Sequence, residues 1–225
     1  MLADEGAPNR KTDMPANRTA KVEQQHLRLL DGLATAIREK GLARTQVSDI
    51  VGHAHASRRT FYKHFPDKDS CLVELVHRSA ATIIEAVAAA TDLHAPGTIQ
   101  IEQAVDAYIS ILSGDPALTL ALASPSVGER IVRAQRHALE RFAEYLVVLT
   151  ASASEGRTPL APVSVECAYM LASGLRAAAL RAIERGDGLD RVGEEGKAVF
   201  KRVLISGAAQ NQRRRPHPAG PPSRD

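Results

Sequence analysis

The stretch Thr45–Phe65, TQVSDIVGHAHASRRTFYKHF, decides the fold of this chain. Its apolar spacing predicts two short helices joined by a tight turn, one over about 47–54 and the other over about 58–64. In the second helix, Phe61 and Phe65 lie four residues apart and predict a buried face, while basic and hydroxyl-bearing side chains occupy the opposite face. A short helix with aromatic side chains on its buried face and basic side chains on its exposed face is typical of helices that enter a groove of DNA.

Basic charge is concentrated around this stretch. From Lys21 to Lys68 the sequence holds nine Lys or Arg against five Asp or Glu, whereas the whole chain of 225 residues has a net charge of only +3. No acidic residue occurs between Asp49 and Asp67. This distribution permits nucleic-acid binding and places it in one quarter of the chain.

The rest of the chain also has helical periodicity. Hydrophobic residues make up 44% of the sequence, which is enough for a real core, and no segment alternates convincingly with the period of a strand. We expect about nine helices and therefore an all-α chain. Besides the two helices above, they span about 21–40, 68–91, 99–113, 117–123, 126–153, 163–185 and 190–209.

Breaks in composition predict two domains between two disordered ends. We expect a disordered arm over 1–20, a helix-turn-helix DNA-binding head over 21–66, a larger helical body over 67–209 and a disordered basic tail over 210–225. The arm carries Arg10, Lys11 and Arg18, and is either inert or touches phosphates or the minor groove beside the head. The arginine run at 213–215 favours a solvated tail, with weak phosphate affinity as the alternative.

The helix expected over 163–185 is unusual in its small side chains, which recur from Ala168 to Ala179. Small side chains let helices approach closely. We expect this helix and the one after it to form a four-helix contact between two subunits, and packing inside one subunit is the alternative.

The order of these elements resembles the TetR family of transcriptional regulators. A helix, a helix-turn-helix that contains TFYKHF, and a lysine at the start of a long fourth helix follow one another as they do in that family. The resemblance covers about residues 25 to 76, and beyond them only the pattern of helices agrees. The residues that carry it are Gly41, Thr45, Val47, Ile50, Ala54, Ser57, Thr60, Phe61, Tyr62, His64, Phe65, Lys68 and Leu72.

The resemblance implies a cytoplasmic homodimer in which each subunit has a three-helix DNA-binding head and a larger helical domain for effector binding and dimerisation. It implies a transcription regulator, in the simplest case a repressor that a small-molecule effector releases from double-stranded DNA. A twofold dimer presents its recognition helices to major grooves about 34–36 Å or a multiple apart, so the operator is expected to be palindromic. The alternative is a DNA-binding protein without a small-molecule effector, either architectural or controlled by a partner.

The resemblance also implies which residues contact DNA. Arginine suits bidentate recognition of guanine, whereas lysines, hydroxyls and helix N-termini hold phosphates. Arg59 is favoured over Arg58 as the base-reading residue. The expected contacts are Thr45 and Gln46 near a phosphate at the start of the first motif helix, with Thr45 as its N-cap; Ser57 as the cap of the recognition helix; Arg58, Arg59 and Thr60 at base edges or nearby phosphates; Tyr62, Lys63 and His64 on the backbone; and Lys68 on a phosphate.

One position departs from the family pattern. The family has Gly followed by Val in the turn between the two motif helices, where this chain has His55 and Ala56. If the backbone at His55 is left-handed, a non-glycine residue there costs on the order of 1–2 kcal/mol, although histidine is among the residues more often found in that region. We therefore expect a less stable or slightly altered turn that still supports DNA binding.

Other chemistry is not indicated. His53, His55 and His64 have no carboxylate or cysteine at ligand spacing, so no metal site is expected. The chain lacks a phosphate-binding glycine loop, a nucleophile elbow, a zinc-protease helix and paired carboxylates, so we expect neither catalysis nor a cofactor. Cys71 and Cys167 are expected to be reduced thiols. No apolar run reaches the length of a membrane span, so no membrane association is expected.

Six residues of the body are candidates for effector contact, although each is also suited to core packing. A pocket built from them is mainly apolar and favours a hydrophobic or amphipathic effector. They are Tyr108, Leu112, Phe142, Tyr145, Tyr169 and Met170.

Overall fold

The computed structural model of the 225-residue chain describes residues 14–124, 128–152 and 159–214, with side chains described over 19–124, 128–152 and 159–205. Every regular element in these ranges is helical, which confirms the all-α prediction. The chain divides into two compact units, and the division falls between Leu75 and Val76. Of the helices in the described ranges, none is both long and apolar enough to cross a membrane.

The first unit, which we call the head, contains three helices and the start of a fourth. A 3-10 turn follows the first helix and leads into the helix-turn-helix. The elements are α1 (Met14–Lys40), the 3-10 turn (Leu42–Arg44), α2 (Val47–His53), α3 (Arg58–His64) and α4 (Lys68–Ala90), of which the residues up to Leu75 belong to the head.

The second unit, which we call the body, contains the rest of α4 and five further helices. Their starts and ends follow the Pro, Gly and Asp residues of the sequence. Asp115, for example, caps the short helix Pro116–Ala123, because its side chain accepts a hydrogen bond from the Leu118 backbone amide. The helices are α5 (Gly97–Gly114), α6 (Pro116–Ala123), α7 (Glu129–Ser152), α8 (Val165–Arg185) and α9 (Asp190–Arg214).

The two units have separate cores. In the head, α1 packs closely on α2, and the buried side chains include Leu30, Leu33, Ile37, Ile50, Phe61, Phe65 and Leu72. In the body, one cluster joins the buried faces of α4, α5, α7, α8 and α9, and includes Val87, Ile101, Val105, Leu146, Leu175 and Phe200.

The ends of the chain differ from expectation. Helix α1 begins at Met14, so residues 14–20, predicted as disordered, are helical; proline at the second position of a helix is tolerated because its missing N–H would have no partner there. Helix α9 continues to Arg214, five residues beyond the predicted end, through two glutamines and two arginines that favour a helix and one asparagine. The predicted segments 1–13 and 215–225 lie outside the described residues.

Candidate nucleic-acid interface and effector site

Helix α3 is anchored by two phenylalanines. Phe61 is fully buried and Phe65 is 2% exposed, which confirms the burial expected from their spacing. Their ring centroids lie 5.6 Å apart. Because this aromatic pair holds one side of a seven-residue helix in the core, the opposite side is presented to solvent in a fixed orientation.

The start of α3 is fixed by Ser57. Its hydroxyl oxygen accepts a hydrogen bond from the Thr60 amide at 3.0 Å, so Ser57 is the N-cap that the sequence predicts. The same hydroxyl lies 2.9 Å from the Thr60 hydroxyl. Thr60 is therefore partly engaged inside the head, and its hydroxyl keeps one further hydrogen-bonding position for DNA.

The solvent face of α3 is basic. The side chains of Arg58, Arg59 and Lys63 are exposed, and none of them has a hydrogen-bond or ion-pair partner among the described residues. Tyr62 is 57% exposed, with its ring edge-on to Phe61. Two unpaired guanidinium groups and an unpaired ammonium group on one short helix are the arrangement that base edges and phosphates require.

His64 lies further inside the head than a backbone contact suggests. Its ring centroid is 5.5 Å from that of His26 on α1, and it is half-buried. Burial lowers the pKa of His64 below the usual histidine value; the nearby His26 and Lys63 lower it further, and Glu74 opposes them. His64 is therefore neutral at neutral pH and packs inside the head, whether or not the exposed edge of its ring contacts DNA.

Thr45 is a structural residue in this chain. It is 1% exposed, and its hydroxyl donates to the Gly41 carbonyl at 2.9 Å. The prediction that Thr45 caps α2 is wrong. The N-cap is Gln46, whose backbone amide donates to the Asp49 carboxylate at 2.7 Å. The cap shifts by one residue because the 3-10 turn, which the sequence analysis did not predict, uses Thr45 to close back onto α1.

Lys68 also has an internal role. Its ammonium group donates to the Thr45 carbonyl at 3.0 Å and to the Leu42 carbonyl at 3.4 Å, and thereby ties the start of α4 to the turn before α2. An ammonium has three donors, so one remains for a phosphate. The exposed Gln46 side chain lies at the same end of α2.

The backbone of the turn between α2 and α3 is left-handed at His55, the position that departs from the family pattern. His55 has φ 48°, the only positive φ of a non-glycine residue in the described ranges. The turn is closed by backbone hydrogen bonds from the His55 amide to the Gly52 carbonyl and from the Ala56 amide to the Val51 carbonyl. Histidine therefore occupies a left-handed position in a turn that keeps its hydrogen bonds.

Two features of the head escaped the sequence analysis. A Cβ atom on Gly32 of α1 would lie 2.5 Å from the Ile50 carbonyl oxygen, so α1 and α2 meet there backbone to backbone. His26 Nε2 lies 2.6 Å from a Glu74 carboxylate oxygen and joins α1 to α4. The glycine was a usable sequence signal, because glycine inside a helical pattern often marks a close approach. The contact between His26 and Glu74 had no sequence signal, because the two residues are 48 positions apart.

The predicted effector residues divide into two groups. Tyr108 and Leu112 belong to the buried core of the body, and Phe142, Tyr145 and Tyr169 pack against that core. The ring centroids of Tyr108 and Phe142 lie 5.5 Å apart, and those of Phe142 and Tyr145 lie 6.3 Å apart. Met170 is 67% exposed and does not join this cluster, because it projects from the outer face of α8.

The small residues of α8 serve two surfaces. Ala168, Ala172 and Ala179 are buried inside the body, whereas Gly174, Ala177 and Ala178 are exposed together with Met170. On α9, Val199 and Val203 are also exposed. The inner set therefore packs within the chain, and the outer set forms an exposed small-residue face, for which the contact between two subunits stays a prediction.

Neither metal chemistry nor a disulfide is present among the described side chains. No group of three or more His, Cys, Asp or Glu there is arranged to hold a metal ion, and His53 instead pairs with Glu39 at 3.0 Å. Cys71 is buried and Cys167 half-buried, and neither is part of a disulfide.

Comparison with known proteins agrees with this geometry. Residues 29–75 match the model of the family described as bacterial regulatory proteins, tetR family. The fold is shared with a TetR-family regulator from Mesorhizobium loti MAFF303099 (19% identity, TM-score 0.67, 82% of this chain and 98% of that chain covered). It is also shared with FadR from Bacillus subtilis, solved in complex with stearoyl-CoA (18% identity, TM-score 0.62, 81% and 98% covered). Comparison with curated proteins finds no significant match.

Helix α3 is capped, follows a tight turn, buries two aromatic side chains and exposes a basic face in a three-helix head. These features define a helix-turn-helix DNA-binding protein that regulates transcription. The structural similarities, at under a fifth identity, show only the fold. The match over residues 29–75 shows that the head is a domain of the TetR family of bacterial regulatory proteins, as its motif indicates.

Proposed function

We propose that the protein is a homodimeric repressor that binds a palindromic operator through α3 and leaves it when a small, mainly apolar effector binds the body. The observation that carries DNA binding is the set of Arg58, Arg59 and Lys63 on the solvent face of an anchored helix, none of which is paired with another described residue. Arg59 reads a base edge; Gln46, Tyr62, Lys63 and Lys68 hold phosphates; and Ser57, Thr45 and His64 position these groups.

Dimerisation is supported by the outer face of α8 and α9. Exposed Gly174, Ala177 and Ala178 allow close approach of a second helix pair, and Met170 and Val203 supply apolar surface beside them. A patch of this kind on a monomer marks an interaction site. A second copy related by a twofold axis would bury it and would give the dimer two α3 helices, one from each subunit.

The effector proposal rests on the aromatic cluster of the body. Tyr108, Phe142 and Tyr145 form a row of rings in and against the core, which suits an apolar ligand. The similar FadR of Bacillus subtilis was solved with stearoyl-CoA, a ligand that has a long apolar chain. Family members are as a rule DNA-binding rather than catalytic, so we expect no catalytic activity, and we place the protein in the cytoplasm, where bacterial DNA is.

Selection of bound sequences from a random pool of DNA tests the proposal. We expect an enriched palindrome whose half-sites lie about one helical turn or a multiple apart. Enrichment of a single asymmetric half-site, or none, would contradict it. The selected operator then serves to test release: if apolar compounds leave its affinity unchanged, the alternative of a DNA-binding protein without a small-molecule effector replaces the repressor.

A further inference from the structure

One edge of α8 carries three polar-tipped side chains at helical spacing. Tyr169, Ser173 and Arg176 are half-buried and lie four and three residues apart, so they share one side of the helix. This edge lies between the buried alanines and the exposed small-residue face of α8. Between Ala168 and Leu180 these three are the only residues with a polar side chain.

The Ser173 hydroxyl oxygen is buried and has no hydrogen-bond partner among the described residues. Most buried hydroxyls in proteins are paired, and leaving one unpaired costs free energy. The other buried side-chain atom without a partner, Gln100 Oε1, belongs to an amide whose nitrogen already donates to two carbonyls at the start of α5. Ser173 has no such engagement, so its hydroxyl is available to a ligand.

Arg176, one turn further along α8, is also unpaired. No carboxylate among the described residues lies within ion-pair distance of its guanidinium. It lies near the Tyr108 hydroxyl on α5: burial raises the pKa of Tyr108 to about 12, and the charge of Arg176 acts in the opposite direction. The Tyr108 hydroxyl in turn has no hydrogen-bond partner in the described part of the chain. Ser173 and Arg176 thus share one edge of α8, and the charge of Arg176 acts on the Tyr108 hydroxyl of α5.

The surroundings of these polar groups are apolar. Tyr108 continues into the row of rings formed with Phe142 and Tyr145. Helix α6, which packs against α8, has the sequence PALTLALA, yet none of its residues is fully buried. An apolar helix whose side chains are only partly covered leaves apolar surface for a ligand beside the polar edge.

We propose that the effector is a carboxylic acid with an apolar skeleton, whose carboxylate binds Arg176 and accepts hydrogen bonds from the hydroxyls of Tyr108 and Ser173. This inference rests on the proposed effector-controlled function and specifies its ligand. A single guanidinium and two neutral donors match one negative charge, and arginine binds a carboxylate with two parallel hydrogen bonds. The aromatic row and α6 take the skeleton of the acid.

Calorimetric titration of the full chain with matched pairs of compounds tests this proposal. The probes are hexanoate, dodecanoate, stearate, benzoate and phenylacetate, each compared with its neutral methyl ester. We expect at least one acid to bind and its ester to bind at least about tenfold more weakly, because the ester loses the charge-assisted hydrogen bonds.

Variants locate the carboxylate. Arg176→Gln should weaken acid binding about ten- to a hundredfold and leave ester binding unchanged. Arg181→Gln, on the exposed side of the same helix, is the matched control and should bind acids as the original protein does. Tyr108→Phe removes only a hydroxyl and should weaken acid binding by a smaller factor, which keeps the test usable if Arg176→Gln does not fold.

The outcomes separate this inference from the function beneath it. Three results would overturn the carboxylate site: equal binding of acids and esters, binding of neither, or unchanged acid binding by both Arg176→Gln and Tyr108→Phe. Selection of an operator would still support DNA binding in each case. Failure to select any operator would overturn the proposed function instead. Acid binding that is weakened by Arg176→Gln and Tyr108→Phe but not by Arg181→Gln would still support the site.

Discussion

The head and the body each contain a glycine at a close approach between helices, and the two glycines meet different neighbours. A Cβ on Gly32 would lie 2.5 Å from a backbone oxygen, that of Ile50, whereas a Cβ on Gly196 of α9 would lie 2.8 Å from the Cδ1 atom of the flexible Leu175 side chain. Backbone cannot move aside, but the end of a leucine can. The head is therefore held by fixed parts, and the body by parts that can rearrange.

This difference suits the two functions proposed for the units. A helix that presents Arg59 to a base edge must be fixed to within a fraction of a hydrogen-bond length. A domain that accepts a ligand benefits from side chains that can repack, and among the described residues of the body the buried Ser173 hydroxyl has no hydrogen-bond partner.

The largest effect is expected from removing an aromatic ring of the head. Phe61→Ala should destabilise the head by about 3–5 kcal/mol, because Phe61 is completely buried. Phe142→Ala in the body should cost about 1–2 kcal/mol, since Phe142 is only partly buried. Amide hydrogen exchange of α2 and α3 measures the first loss and that of α5 and α7 the second; equal losses would remove the contrast between the units.

The two glycines give the next largest effect. Gly32→Ala should destabilise the head by about 1–3 kcal/mol, because the new methyl group forces α1 away from α2. Gly196→Ala should change body stability by less than about 1 kcal/mol in either direction, since a shift of Leu175 is offset by the better helix propensity of alanine. Urea denaturation of both variants checks this order. The reverse order would show that the body, not the head, is the rigid unit.

The head could be predicted from sequence and the body only in outline, for physical reasons. The burial of Phe61 and Phe65 and the cap at Ser57 follow from local spacing, and the structure confirms them. The engagement of Thr45 by Gly41, and of Lys68 by the turn, depends on a 3-10 turn with no clear local signature.

In the body, sequence periodicity located the helices but not every facing side chain. Met170 was predicted to contact an effector or to pack in the core, as was Tyr169, yet a helix turns successive residues by a quarter of a circle or more and places Met170 outside. Arg176 was not among the predicted effector residues, since a lone arginine in a sequence does not reveal that no carboxylate of the described residues pairs with it.

A smaller effect is expected at the turn. His55→Gly should stabilise the head by roughly 1 kcal/mol, because glycine adopts a positive φ without the strain that a side chain suffers there. The measurement is the urea midpoint together with operator affinity. An unchanged or lower midpoint would mean that histidine contributes a contact which offsets the strain.

The smallest effect is a dependence of head stability on pH. The pKa of His64 is lowered, chiefly by burial, so on acidification the unfolded chain takes up the proton first, near its ordinary value of 6.5. The stabilisation is complete above that pH and is lost as the pH falls from 6.5 towards the lower folded value. Hydrogen exchange of head amides at neutral and mildly acidic pH should show this loss. His64→Gln should reduce it, and the exposed His94→Gln should not; equal profiles for all three proteins would contradict this origin.

The most direct test of DNA reading by the fixed head is a comparison of Arg59→Ala with Lys63→Ala on the selected operator and its single-base variants. Arg59→Ala should cost roughly 1–3 kcal/mol and relax the preference at one or two base positions, whereas Lys63→Ala should weaken all sequences alike and flatten the salt dependence. Arg133→Ala, in an ion pair with Glu129 on the body, is the control and should change neither. Uniform weakening by Arg59→Ala, or unchanged binding by both head variants, would contradict the account.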